Sequence, residues 1–529
     1  MFDFIIKNAD IIDGTGSPSF KGDLAVFEGK IAVIAPEING EAAEVIDAEG
    51  LTLAPGFIDI HSHSDITIAN YPKAESRILQ GVTTEITGNC GESMAPLRKE
   101  RLDLQKAYMG DGDYSWESFG EYLDYLEKGD FPISGEKGGI SVNFAGMVGH
   151  GTIRIMAMGF DRREATAAEM ADMKAILADT VDQGAFGMTS GLIYPPGSFS
   201  TQAELTELCK VVAAKDVIYA THMRSESFSL EEALQEAIET AEHSGAKLQV
   251  SHFKALNKSC WFKADHCIEM VEAGRARGMD IMADQYPYIA SSTGISADLP
   301  DWLYDGGIEE AQRKLKDPFI RARVIAESEE EHAGRWDTIV PSSISDPEFS
   351  WMTGHNMEEN ARVAGTTASE LACRLVEGSG TDCGCVRYNQ CEEVVERIMV
   401  LPYVMTGSDG SDYPMTLGGV PHPRNFGTFP RVLARYCRDR KLFSLETAVN
   451  KMTGMPAARV GLKQRGLLKE GYWADLVLFD AKSIKDAPTF EKPAVPCEGI
   501  IRVYVNGVLT AENGIHTGAK AGKVLRSGK

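Results

Sequence analysis

Nowhere in the chain do about 18 or more apolar residues follow one another, so no membrane span is expected. The opening residues, MFDFIIKNADIIDGTG, set acids within the apolar stretch and lack both a basic leading region and a small-residue cleavage site. No secretory signal is read there, and a soluble, cytoplasmic protein is expected. Basic charge is scarce: 53 Lys and Arg stand against 77 Asp and Glu, a net charge of −24. Such a surface argues against nucleic acid or anionic membrane as a partner. Cysteine is sparse as well, ten residues scattered over 529, so reduced thiols rather than a disulfide framework are expected. No P-loop or dinucleotide glycine pattern follows a strand, and no short-period repeat or low-complexity tract occurs. With 43% hydrophobic and 25% charged residues, large-scale disorder is not expected either.

What is present divides into three textures. Residues 1–54 carry short alternating pieces broken by Gly and Asp, and residues 465–529 repeat that pattern in GYWADLVLFD, GIIRVYVNGVLTAENG and the tail GKVLRSGK. Together they read as one small β domain, a β-sandwich built from both ends. Between them, over 55–464, apolar runs alternate with helical stretches such as SLEEALQEAIETAEHSG, where Leu230, Leu234, Ile238 and Ala241 recur at helical spacing. Eight runs read as strands: GFIDIH, VTTEIT, VNFAGMVG, AFGMTSG, VIYATH, KLQVSH, MDIMADQY and YVMTGSDG. Eight βα units predict an α/β fold of the TIM (β/α)8 barrel type, whose chemistry sits at the C-terminal strand ends. The stretch from about 290 to 400 is too long for a barrel loop and reads as an insertion between strands 7 and 8.

The strand ends hold the chemistry. DIHSHSD places His61 and His63 two residues apart, so both side chains leave one face of an extended chain. A lone pair of this kind is ordinarily two surface histidines. The count argues otherwise: of eleven histidines, four close predicted strands, His61 and His63 on the first, His222 on the fifth and His252 on the sixth. Asp409, in GSDG, closes the eighth. Imidazole, thiolate and carboxylate are zinc's usual ligands. His150 ends the third strand and reads as a loop or supporting residue; His422 reads equally as a lining or a structural loop residue, and no role is assigned to His355.

The segments PGFIDIHSHSD, GVTTEITGNCG, GLIYPPGS, THMRSE, SHFKA, DQYPYIASST, GSDG, HPRNFGTFPRVL and GYWADLVLFD resemble the D-aminoacylase (N-acyl-D-amino-acid deacylase) family of the amidohydrolase superfamily, nearly end to end. Many two-metal members of the superfamily bridge their ions with a lysine from the fourth strand, and GAFGMTSGLIYPPG holds none. The resemblance puts Cys90, from the second strand, in that place. It implies a tight zinc site of Cys90, His222 and His252, and a second, weaker site lined by His61, His63 and Asp409. Asp409 is then the general base and acid for a water acidified toward a pKa of about 7.

For the substrate carboxylate the resemblance implies Lys254, Tyr286 and Ser292, with Tyr194 and Arg224 as further candidates. No Lys or Arg occurs between Ile289 and Glu309, the segment expected to border the side-chain pocket. The expected substrate is therefore a small N-acyl-D-amino acid with a neutral or hydrophobic side chain; the D preference rests on the resemblance alone. Two other readings stay open, a cyclic-amide hydrolase of dihydroorotase or hydantoinase type and a non-catalytic scaffold. Cys383, Cys385 and Cys391 lack a partner pair at finger-like spacing and read as ordinary reduced cysteines. Oligomeric state is not legible.

Overall fold

The computed structural model describes residues 1–110 and 112–528. Eight parallel strands follow one another along the chain: Phe57–Asp59, Val82–Thr87, Asn143–Gly146 continued by Val148–Gly149, Gly187–Gly191, Ile218–His222, Lys247–Val250, Ile281–Gln285 and Val404–Thr406. Each pairs in parallel with the next. A parallel bridge between Ser62 and Gly410 joins the end of the eighth to the end of the first. The third strand divides its pairing, its first half on the second strand and its second half on the fourth. Every residue of Val82–Thr87 and Ile218–His222 is buried, as strands covered on both faces must be.

The intervening helices are set by local chemistry. Ala167–Asp182 starts at Thr166, whose side chain accepts the Glu169 N–H while the Glu169 carboxylate accepts that of Thr166. Leu230–Ser244 buries Leu234, Ile238 and Ala241 on one face and stops at Gly245, φ +76°. Each large aliphatic side chain so buried contributes about 1.5–3 kcal/mol.

Strands from both ends of the chain form one nine-stranded sheet, in which Leu476–Phe479 pairs with Thr52–Pro55 and that strand with Phe2–Ile11. It is a single hydrogen-bonded sheet rather than the two stacked sheets of a sandwich. Phe4 and Tyr504 stack at 4.6 Å although their strands lie three places apart in it, so the sheet curls round its own apolar face, where Ile6, Leu24, Leu53 and Leu476 meet. The tail also departs from the expected grouping: Val524–Leu525 pairs in parallel with Phe144 and Ala145 of the third parallel strand, because its backbone finds an open edge there.

Between the seventh and eighth parallel strands, Ser291–Gly294, Ile339–Ile344 and Cys383–Arg387 make a three-stranded antiparallel sheet. Helices Ile308–Leu315, Pro318–Glu331, Met357–Ala364 and Ala368–Ser379 belong to the same segment. Its apolar core is separate and includes Leu303, Leu371, Leu375, Cys383 and Cys385. The two cysteines thus sit in a strand and serve packing. No helix among the described residues is long and apolar enough to cross a membrane.

Candidate metal centre and active site

Cys90 lies where two groups of donors meet. His61, His63, Cys90 and Asp409 offer ligand atoms within 4.8 Å of one another, and so do Cys90, His222 and His252. Cys90 Sγ is 3.4 Å from both His61 Nε2 and His252 Nε2. His252 Nε2 is 3.0 Å from His222 Nδ1, and Asp409 Oδ1 is 3.1 Å from His63 Nε2. Five different strands deliver these six side chains to one end of the ring. The backbone is bent to do so: Cys90, His252 and Asp409 have φ of +54°, +35° and +53°, a region costly for residues with a Cβ. Gly88 precedes this bend at φ +76°, where a Cβ would stand 2.2 Å from the Met147 carbonyl oxygen.

Residues beneath the donors aim them. Asp284 accepts hydrogen bonds from His61 Nδ1 at 2.9 Å, Gln249 Nε2 at 2.8 Å and the His252 amide at 2.8 Å. This leaves His61 Nε2 facing Cys90 and Asp409. Asp59 accepts from the Ser408 amide at 2.8 Å and lies 3.8 Å from Arg77, which donates to Glu85 at 2.9 Å. That buried network anchors the turn carrying Asp409. Burial pushes the Asp59 carboxyl up to about 6.

The donors fit a cation. Burial pushes His222 and His252 well below the ordinary imidazole range, which leaves them neutral, the form in which imidazole binds metal. Burial, with Asp409 and Glu92 nearby, drives the Cys90 thiol well up; a bound cation reverses that balance and takes the thiolate. Burial also opposes the charge on Asp409, yet Arg424, His252 and the hydrogen bond with His63 outweigh it and hold the carboxyl well below its usual range.

A cavity of about 1190 Å³ opens over the donors and reaches into the insertion. His63, Cys90, His222, His252 and Asp409 line it, together with Lys254, Tyr286, Ser292 and Tyr194; His61 lies fully buried beneath. Ser292 is in the strand Ser291–Gly294. Tyr286 OH accepts from Gln390 at 2.9 Å, and Tyr194 OH is 3.0 Å from Thr293 Oγ1. Lys254 is already engaged: Nζ donates to Glu226 Oε1 at 2.6 Å and lies 2.7 Å from His252 Nδ1.

Arg224, expected near the substrate, is not among the lining residues. It forms an ion pair with Glu236 at 2.9 Å and donates to the Ser198 and Ser200 carbonyls, because Glu236 on the following helix captures it. His150 is buried beside Glu204 at 2.8 Å, away from the cavity lining. His422 lines the cavity but bonds to the Ala290 carbonyl at 3.0 Å, and His355 is exposed.

Three residues were missed from the sequence. Asp284 lies inside DQYPY, Glu226 four residues after His222 and Arg424 in HPRNFGTFPRVL. Arg424 Nη1 donates to Asp409 Oδ2 at 2.7 Å and Nη2 to the Ser292 carbonyl at 3.2 Å, with the guanidinium 5.1 Å over the Tyr286 ring. The pattern of acids and bases in these motifs was the available signal, but which acid meets which base was not in it.

A sequence model of the amidohydrolase family matches residues 44–284 and 403–511, leaving out the segment that contains the insertion. The D-aminoacylase of Alcaligenes xylosoxydans xylosoxydans is 36% identical over 525 residues, 99% of this chain and 97% of that protein. This chain belongs to the D-aminoacylase family of amidohydrolases. As a member it is a hydrolase acting on linear amides. A solved D-aminoacylase, concerned with one-metal activation and second-metal attenuation at a binuclear centre, superposes with a TM-score of 0.83 at 34% identity, covering 99% of this chain and 100% of that one. The N-acyl-D-glutamate deacylase of Bordetella bronchiseptica, complexed with zinc and a phosphonate mimic of the tetrahedral intermediate, superposes at 0.82 with 30% identity and the same coverage. Relatives of similar identity thus carry different names, D-aminoacylase and N-acyl-D-glutamate deacylase.

Proposed function

We propose that this chain hydrolyses N-acyl-D-amino acids to a carboxylate and a free D-amino acid, with neutral or hydrophobic side chains favoured. The observation that carries the reading is the meeting of six donors round Cys90 in two overlapping groups within 4.8 Å. Cys90, His222 and His252 would hold one zinc tightly, and His61, His63 and Asp409 would line a second, weaker site. When bound, zinc supplies Lewis acidity toward the amide carbonyl and makes water acidic enough to react near neutral pH.

The protein's own groups do the rest. Arg424 ties down Asp409 Oδ2, so Oδ1, on the side of His61 and His63, takes the proton from water and returns it to the departing amine. Arg424, Tyr286, Ser292 and Lys254 border the space for the α-carboxylate, and Tyr194 closes it near His222, the two rings 5.2 Å apart. The strand Gly187–Gly191 offers no lysine, which disfavours a carbamate-bridged cyclic-amide hydrolase, and an intact donor set disfavours a scaffold. The window from Ile289 to Glu309 was too narrow for the side-chain argument, since Arg335 and Arg387 also line the cavity. The preference for neutral side chains is kept because Lys254, Arg387 and Arg424 are matched by Glu226, Asp298 and Asp409, while the Arg335 guanidinium lies 5.1 Å over the Phe228 ring.

We read the eight parallel strands as a (β/α)8 barrel over residues 55–464, with the insertion at about 290–400 and a small β domain from 1–54 and 465–529, its last strand apart. The test of function is a panel of N-acetyl-D- and N-acetyl-L-amino acids with and without chelator. Turnover of D substrates, lost to chelator and restored by zinc, is expected. Turnover of only L substrates would overturn the reading, and N-acetyl-D-glutamate far ahead of N-acetyl-D-methionine would overturn the side-chain preference.

A further inference from the structure

Resting on that reading, the geometry points to the ion pair of Asp298 and Arg387 as the determinant of substrate side-chain charge: Asp298 masks an arginine that would otherwise select acidic side chains. Both residues line the cavity that holds the donors, and both are buried, 4% and 8% exposed. A short chain of contacts leads to them from the metal donors. The Tyr194 ring lies against His222, Tyr194 OH meets Thr293 Oγ1, and the Thr293 carbonyl accepts from Arg387 Nη1 at 2.9 Å. The preceding carbonyl, of Ser292, accepts from Arg424. Two arginines therefore hang on consecutive carbonyls of one cavity-wall strand, Arg424 at the Asp409 end and Arg387 one residue further from it.

The two are matched differently. Arg424 is held by Asp409, a residue of the reaction, whereas the acid matched to Arg387 has no part in the donor groups. A guanidinium has five N–H groups, and Arg387 has five acceptors for them. Nε donates to Asp298 Oδ1, Nη2 to Asp298 Oδ2 and to the Gly294 carbonyl at 3.0 Å, and Nη1 to the carbonyls of Thr293 and Cys385. None is left for a substrate carboxylate, and the charge itself is cancelled. Asp298 is closed from its own side, by Arg387 and by His332, whose Nε2 is 3.6 Å away. At this part of the wall a neutral side chain meets a pair with no net charge, while an acidic or basic one must leave water without gaining an unengaged partner from that pair. Removing one member of such a pair leaves the other buried and uncompensated, and a substrate of opposite charge then supplies the missing partner.

The test compares kcat/KM for N-acetyl-D-methionine, N-acetyl-D-glutamate and N-acetyl-D-lysine in the zinc-loaded enzyme and its variants. Asp298→Asn is expected to raise the glutamate-to-methionine ratio at least about tenfold. Arg387→Met is expected to raise the lysine-to-methionine ratio by a similar factor. The double variant Asp298→Leu with Arg387→Met should return to methionine. Ratios in the single variants that stay within about threefold of wild type, with thermal unfolding showing both folded, overturn the inference. Where Asp298→Asn does not fold, Asp298→Ala replaces it, with the same expected shift and the same unchanged ratio as refutation. Wild type that cleaves none of the three refutes the proposed function and the inference with it; wild type that cleaves N-acetyl-D-methionine beside unmoved variant ratios refutes the inference alone.

Discussion

Burial sets the terms on which single residues act at this centre. A thiol as enclosed as Cys90 stays protonated unless a cation compensates it, so the role proposed for it is metal binding rather than nucleophilic attack. Asp409 is the opposite case, a carboxylate kept ionised by Arg424 and the surrounding imidazoles in spite of burial. The two should separate by mutation. Cys90→Ala is expected to lose zinc and activity together, whereas Asp409→Ala should retain tight zinc while turnover falls by about 10²–10⁴-fold. Metal counting beside kinetics checks both, and zinc lost from Asp409→Ala would make that carboxylate an essential ligand instead.

Among the elements, the eighth parallel strand is held from an unusual direction. Lys451, at the end of helix Leu445–Lys451, is buried and donates to the carbonyls of Leu401 and Val404, and burial lowers its pKa to about 8. The unfolded chain keeps an ordinary lysine, near 10.4. Between those values the unfolded state binds more protons than the folded one, so this group makes the protein more stable as pH rises from about 8 to about 10. Lys451→Met removes that dependence. The difference in unfolding midpoint between wild type and variant is expected to shift in favour of wild type over that interval; a difference constant with pH would refute the assignment.

In the molecule as a whole, the centre ties together distant parts of the ring. Its six donors come from the first, second, fifth, sixth and eighth parallel strands, so a bound cation cross-links strands that are otherwise joined only through their neighbours. A ligand bound to the folded state alone adds about 2.7 kcal/mol at a hundredfold excess over its dissociation constant. Chelation should accordingly lower the thermal midpoint of wild type and zinc should restore it, with neither effect in Cys90→Ala. An unchanged midpoint on verified metal removal would show that the ring is stable without the cross-link.

Much of this was written locally. Strand runs, helical spacing and glycines at turns depend on neighbours along the chain, so the eight strands and the positions of His61, His63, Cys90, His222, His252 and Asp409 at their ends could be read from the sequence itself. Charge pairing could not. Arg387 meets Asp298 across 89 residues of sequence, and Lys254 meets Glu226 across 28; no periodicity records which acid will neutralise which base. The same holds for Arg224, taken from the site by Glu236, for the curl of the terminal sheet and for the tail strand beside Phe144. Sequence by itself determined which side chains reach the strand ends, because that follows from a two-residue repeat and the turn that ends it. Tertiary structure alone decided which charges remain available there, because that depends on long-range approach and on the loss of water around each group.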